Sequence, residues 1–175
     1  MQYRRHGFTI IELLIVIVVI AILAAIIIVA YNGIQSRAQE AAMQADLKSV
    51  ATKILQFQAE NGAMPTFVQL TTGNVGISVS KSVYPTTTQS NGRNLGFCIV
   101  SASSNEKYAV FAQAKSKAWY SYSSTYGARR ETATYDNNIA VDCATLGISS
   151  SEIGYYSMWG AENGQPNGWY SWIGG

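Results

Sequence analysis

The chain has 175 residues, of which 13% are charged and 48% hydrophobic, with a formal net charge of +2. That length leaves room for one modest domain beside a membrane segment, and bases this sparse form no stripe for tight binding of nucleic-acid phosphates. The only histidine is His6, which excludes Ser-His-Asp and Cys-His catalysis and His-ligated zinc from the rest of the chain; two distant cysteines likewise exclude a Cys₄ site. On this inventory neither an enzyme nor a cofactor is expected.

In chain order, residues 1–7 (MQYRRHG) are short, polar and basic, and end in glycine. From Leu13 to Ala30 no side chain is polar (LLIVIVVIAILAAIIIVA). With Phe8 to Ile11 added, the apolar stretch is about 23 residues, or roughly 35 Å of helix, against about 30 Å of bilayer hydrocarbon. One carboxylate, Glu12, interrupts it. A charge at the centre of a membrane helix costs at least about 2.5–3.5 kcal/mol, so Glu12 needs a partner. A cut after Gly7 would supply one: Phe8 would gain an α-ammonium about one helical turn away, able to pair within the subunit or between neighbours. The same cut removes Arg4, Arg5 and His6, leaving 10 bases against 10 acids of the original 12 and 10.

The stretch RRHGFTIIELLIVIVVIAILAAI resembles the processing site and first helix of type IV pilins and pseudopilins, that is, a prepilin with a class III signal sequence. The resemblance covers only about the first 30 residues, but it needs glycine, Phe, Glu at the right offset and an unbroken apolar run to coincide. It implies cleavage between Gly7 and Phe8 by a prepilin peptidase on the cytoplasmic face, N-methylation of Phe8, and use of Glu12 for docking into a filament. The competing secretory signal peptide has an apolar region of only about 7–15 residues; this run is longer and contains Glu12. A plain signal anchor explains the length but neither Glu12 nor Gly7.

Tyr31-Asn32-Gly33 marks the membrane exit, with Tyr31 as an interfacial aromatic. Many pilins carry a proline near the end of this run; here Val29 stands at about that place and no proline precedes Pro65, which leaves Gly33 as the weak point for a kink. Residues 34–61 read as an amphipathic helix. Met43, Leu47, Val50, Ile54 and Phe57 recur at spacings of three and four, and Ala38, Ala41, Ala45 and Ala51 are expected to widen that stripe. Asn61-Gly62 caps the helix and Pro65 prevents its resumption.

Beyond it the chain turns β-rich. Residues 65–94, dominated by Thr, Ser, Gly and Asn, are expected to form a loop, with a short apolar alternation at 75–79. Residues 95–102 (LGFCIVSA) and 108–114 (YAVFAQA) predict two strands joined by a hairpin loop at 103–107. A third candidate is 119–126 (WYSYSSTY). After Gly127 the periodicity is weak, the topology stays open, and Asn163-Gly164 and Asn167-Gly168 mark tight turns. The fold expected is α+β: a long N-terminal α-helix, membrane-spanning in its first half and amphipathic in its second, packed on a small antiparallel sheet with a loop-rich C-terminal region. The divisions expected are a leader at 1–7, a helix at 8–61 (8–30 spanning the membrane or forming a filament core) and a globular β-rich head at 62–175.

The resemblance also implies a disulfide tying the C-terminal region to the sheet, for which Cys98 and Cys143 are the only pair; two buried free thiols are the alternative. Asp136, Asn137, Asn138 and Asp142 are a calcium candidate, since oxygen ligands cluster there, although the spacing is not that of an EF-hand and such residues also suit ordinary turns. Trp119, Tyr120, Tyr122, Tyr126, Tyr135, Tyr155, Tyr156, Trp159, Trp169, Tyr170 and Trp172 make the C-terminal portion aromatic. They are expected mainly as core and subunit contacts, with stacking on glycans, bases or partner proteins as the alternative. Arg129-Arg130 is a conceivable DNA contact, and otherwise a solvated turn.

Three functions stay open on sequence: a structural subunit of a type IV pilus serving adhesion, twitching motility or DNA uptake; a pseudopilin of a type II secretion or competence system; and a minor tip pilin whose aromatics bind a ligand. Glu12 argues against the tip, because the family's usual tip initiator lacks that acid. The partners implied are copies of the chain in a helical filament, the prepilin peptidase, the assembly platform and minor pilins, with DNA or surface glycans unsupported. The implied location is a single pass of the cytoplasmic membrane, N-terminus in the cytoplasm under the positive-inside rule, followed by an extracellular filament.

Overall fold

The computed structural model describes residues 9–84, 95–101, 106–132, 139–152, 155–159, 169–171 and 173–174. The chain divides into two units, Met1–Arg37 and Ala38–Gly175, the second hereafter the head unit. Helix α1, Ile10–Asn61, supplies residues to both and passes Gly33 without a break in its assignment. It ends where the sequence expects: Gly62 adopts φ +75°, a left-handed conformation that glycine reaches without strain, and its N–H donates to the Gln58 carbonyl at 2.8 Å.

Within the head unit α1 buries Met43, Leu47, Val50, Ala51 and Ile54, with Phe57 half-buried beside them. Burial of each large side chain among these contributes about 1.5–3 kcal/mol, which offsets the cost of ordering the helix. Ala38, Ala41 and Ala45 do not widen the stripe as expected: all three are exposed. The correction is geometric, because the sheet covers only the arc centred on the Met43–Leu47–Val50–Ile54 line, and those alanines lie outside it.

The expected loop at 65–94 contains a helix. Helix α2, Phe67–Thr71, is started by a capping box: the Gln69 N–H donates to the Thr66 hydroxyl at 3.4 Å, and the Thr66 N–H donates to Gln69 Oε1 at 2.8 Å. A single 3₁₀ turn follows at Lys81–Val83. Between them Val75, Ile77 and Val79 alternate inward. The C-terminus pairs along this segment, with Ser78 opposite Gly174 in a parallel bridge and Gly174 N–H donating to the Ile77 carbonyl at 2.9 Å.

Among the described residues the sheet has five strands: β1 (Leu95–Val100), β2 (Lys107–Gln113), β3 (Trp119–Ser123), β4 (Gly127–Glu131) and β5 (Tyr155–Trp159), in the order β4-β3-β2-β1-β5, every pair antiparallel. The first two expected strands are present, shortened at their C-terminal ends, and Lys107 starts β2 rather than closing the loop. The third ends at Ser123, and residues 124–126 turn the chain into β4. Arg129 and Arg130 therefore sit in a strand, not in the expected turn. Helix α3, Ile139–Thr145, leads towards β5.

Both faces of the central strands are covered. Phe97, Ile99, Tyr108, Val110, Ala112 and Tyr120 meet the buried stripe of α1 in one cluster. On the other face Cys98, Val100, Ala109, Phe111 and Trp119 pack with Cys143, Leu146 and Ile148 in a second. This double cover explains why β1 is apolar and buried along its whole length instead of alternating.

Candidate functional site

In the first unit the helix begins with a second capping box. Thr9 N–H and Thr9 Oγ1 donate to Glu12 Oε2 at 2.8 and 2.7 Å, and Glu12 N–H donates back to Thr9 Oγ1 at 3.3 Å. Residues at the start of a helix leave backbone N–H groups without intrahelical acceptors, and a carboxylate three residues on from the cap satisfies one of them. Glu12 thus has a partner that the sequence reading missed, legible as T-x-x-E at Thr9-Ile10-Ile11-Glu12. Gly7 and Phe8 lie outside the described residues.

Behind Glu12 the large apolar side chains from Ile10 to Ile28 are 47–85% exposed, and the helix is long and apolar enough to cross a membrane. Soluble monomers rarely expose an apolar surface of this extent, which marks a surface for lipid or partner helices.

In the head unit, carboxylates tie loops to helices. Glu40 of α1 accepts from Tyr120 OH at 2.6 Å and from the Ser116 hydroxyl in the β2–β3 turn. Asp46 accepts from Ser80 N–H at 2.8 Å and from Tyr84 OH at 3.3 Å. Glu106 accepts from the Met64 N–H at 2.9 Å and from the Gln58 amide. Glu131 pairs with Arg129 at 2.6 Å, and Glu152 with Lys107 at 2.9 Å. Burial pushes the hydroxyls of Tyr84, Tyr108 and Tyr120 up from the usual tyrosine range, and nearby Asp46 and Glu40 add to this for Tyr84 and Tyr120. Tyr84 and Tyr120 are neutral donors to carboxylates, an arrangement for holding structure rather than moving protons.

Cys98 of β1 and Cys143 of α3 form a disulfide, with 5.7 Å between their α-carbons, inside the second core cluster. Of the calcium candidate, Asp136, Asn137 and Asn138 lie outside the described residues, while Asp142 is buried in α3. Among the described residues no three metal-ligating side chains come together. Of the aromatics, Trp119, Tyr120 and Trp169 are core residues, whereas Tyr126 is half exposed with the Arg129 guanidinium 4.2 Å over its ring. Tyr135 and Trp172 lie outside the described residues, as do Asn163-Gly164 and Asn167-Gly168.

An apolar helix long enough to cross a membrane, in a chain that also carries a disulfide-bonded antiparallel sheet, is consistent with membrane anchoring. Residues 2–28 match the family model described as the prokaryotic N-terminal methylation motif, the class III signal sequence of type IV pilins. That motif indicates a type IV pilin-like or pseudopilin protein, and the match is confined to those first residues of the chain. No curated protein matches it.

Proposed function

We propose that the chain is a structural subunit of a type IV pilus, cut between Gly7 and Phe8 by a prepilin peptidase and N-methylated on Phe8. The methylation motif at residues 2–28 carries this reading. The mature protein then comprises the helix at 8–61, with 8–30 in the membrane and later in the filament core, and the head at 62–175. During assembly the Phe8 ammonium of an incoming subunit replaces Thr9 as the main partner of a neighbour's Glu12. In an apolar core the wrong stagger leaves both ions unpaired, so the pair supplies register as well as attraction.

Mass spectrometry of the filament protein should find a chain beginning at N-methyl-Phe8; a start at Met1 or near Ala25 overturns the reading. Glu12→Ala, expressed as sole copy, should be processed and retained in the membrane fraction yet lose surface filaments. Wild-type filament numbers from that variant would remove Glu12 from the docking role. Abundance of the protein in sheared surface filaments separates a pilus from the short pseudopilus of a secretion machine, in which it would be scarce.

A further inference from the structure

We propose that residues 169–174 are a latch, and residues 66–84 the lid that it holds over the core cluster shared by α1 and the sheet. Latch and lid open together as one unit while the sheet and the disulfide stay in place. The lid carries α2 and the 3₁₀ turn, and it buries Leu70, Val75, Ile77, Val79 and Tyr84 in that cluster. The latch adds Trp169 and Ile173 to the same cluster, at 7% and 2% exposure.

Latch and lid meet through both main chain and side chains. Gly174 N–H donates to the Ile77 carbonyl at 2.9 Å, and the Gly174 carbonyl accepts from Val79 N–H at 3.2 Å, which sets Ser78 opposite Gly174. The Trp169 indole meets Tyr84 edge-on, with ring centres 5.2 Å apart, and Lys81 Nζ lies 6.0 Å from the centre of the same indole. Trp169 is thus engaged by two lid residues, one through an aromatic pair and one through a cation–π contact. Among the described residues, hydrogen bonds between the lid's main chain and other main chain either close within the lid or go to Gly174. A second tie is a carboxylate of α1: Asp46 accepts from Ser80 N–H, the Ser80 hydroxyl and Tyr84 OH.

The two faces of the sheet are fastened differently. On one, the Cys98–Cys143 bond ties α3 to β1 covalently. On the other, latch and lid are held by buried side chains, the two bonds of Gly174 and the Asp46 carboxylate, whereas neighbouring strands pair along five or six residues each. Segments with so few main-chain bonds to the rest of a fold open at lower free energy than a paired sheet. Neither stretch leaves alone, because lifting the latch strips Trp169 from Tyr84, and lifting the lid takes away the partners of Gly174. Opening bares Val75, Ile77 and Val79, so one face of the head unit can rearrange without loss of the sheet.

The test is native-state hydrogen exchange on the full chain in detergent micelles, read at Val79, Ser80, Val83 and Gly174, whose N–H groups are all bonded in the closed form. Expected is one shared opening rate and denaturant dependence for the four, at least about tenfold faster than the paired amides of β1 and β2. Trp169→Ala combined with Ile173→Ala removes both buried anchors of the latch. In that variant the four amides should lose their protection while β1 and β2 keep theirs. Exchange of the four at the rate of the strands in the unaltered chain overturns the inference, since lid and sheet then open only together. Protection of Val79, Ser80 and Val83 that survives the double variant also overturns it, since Asp46 and the cluster then hold the lid without a latch. A double variant that loses the sheet as well does the same.

Discussion

Gly96 is a residue whose identity is dictated by one contact. It stands opposite Phe111 in the β1–β2 pairing, and the Phe111 ring lies where a side chain would begin: a β-carbon on Gly96 would be 2.2 Å from Phe111 Cζ. The ring covers a strand glycine, an aromatic filling the space that a missing side chain leaves. Gly96→Ala forces the ring out of its place beside Trp119, and such overpacking costs typically about 1–3 kcal/mol. A chemical denaturation midpoint should fall accordingly, and adding Phe111→Leu should restore part of the loss; an unchanged midpoint for the single variant would show that the ring moves freely.

At the level of elements, α2 is only five residues long and depends on its cap. Thr66→Ala removes the acceptor for the Gln69 N–H and should cost about 1 kcal/mol. The effect should be local, read as faster hydrogen exchange at residues 69–71 with little change in β1 and β2. α3 depends on a covalent tie instead. Replacing Cys98 and Cys143 by alanine frees a loop of 45 residues, for which the chain-entropy estimate is roughly 4 kcal/mol. Exchange protection should be lost first in α3 and β5. Intact protein under denaturing, non-reducing conditions should show no reactive thiol; two thiols per chain would contradict the bond.

The head unit as a whole should respond to alkali through its tyrosines. Tyr84, Tyr108 and Tyr120 all hold their protons more tightly folded than unfolded. Stability from these groups is fully present below the unfolded tyrosine pKa of about 10, and is lost as pH rises above it, because the unfolded chain then ionises first. Each such proton steepens the fall by about 1.4 kcal/mol per pH unit. Denaturation midpoints should be level from pH 7 to 9 and drop above 10, and Tyr84→Phe should lower the slope by one proton's worth. An unaltered slope would mean that Tyr84 ionises in the folded state.

The sequence by itself determined the N-terminal helix, its end at Asn61, the processing motif and the two central strands, because each is written in neighbouring residues: an apolar run, spacings of three and four, an Asn-Gly stop, short β-branched and aromatic segments. Even Thr9-x-x-Glu12 and Thr66-x-x-Gln69 were there to be read as caps. Only the tertiary structure decided that Ala38, Ala41 and Ala45 face outward, since helical periodicity defines a stripe but not how wide an arc the sheet covers. It alone placed Arg129 and Arg130 in a strand, through their pairing with Ser121 and Tyr120 of β3. It alone brought Trp169 and Ile173 into one cluster with Val75, Ile77, Val79 and Tyr84, residues far from them in the chain. Contacts over such separations leave no trace in local pattern, because what stabilises them is the packing of segments that meet only after folding.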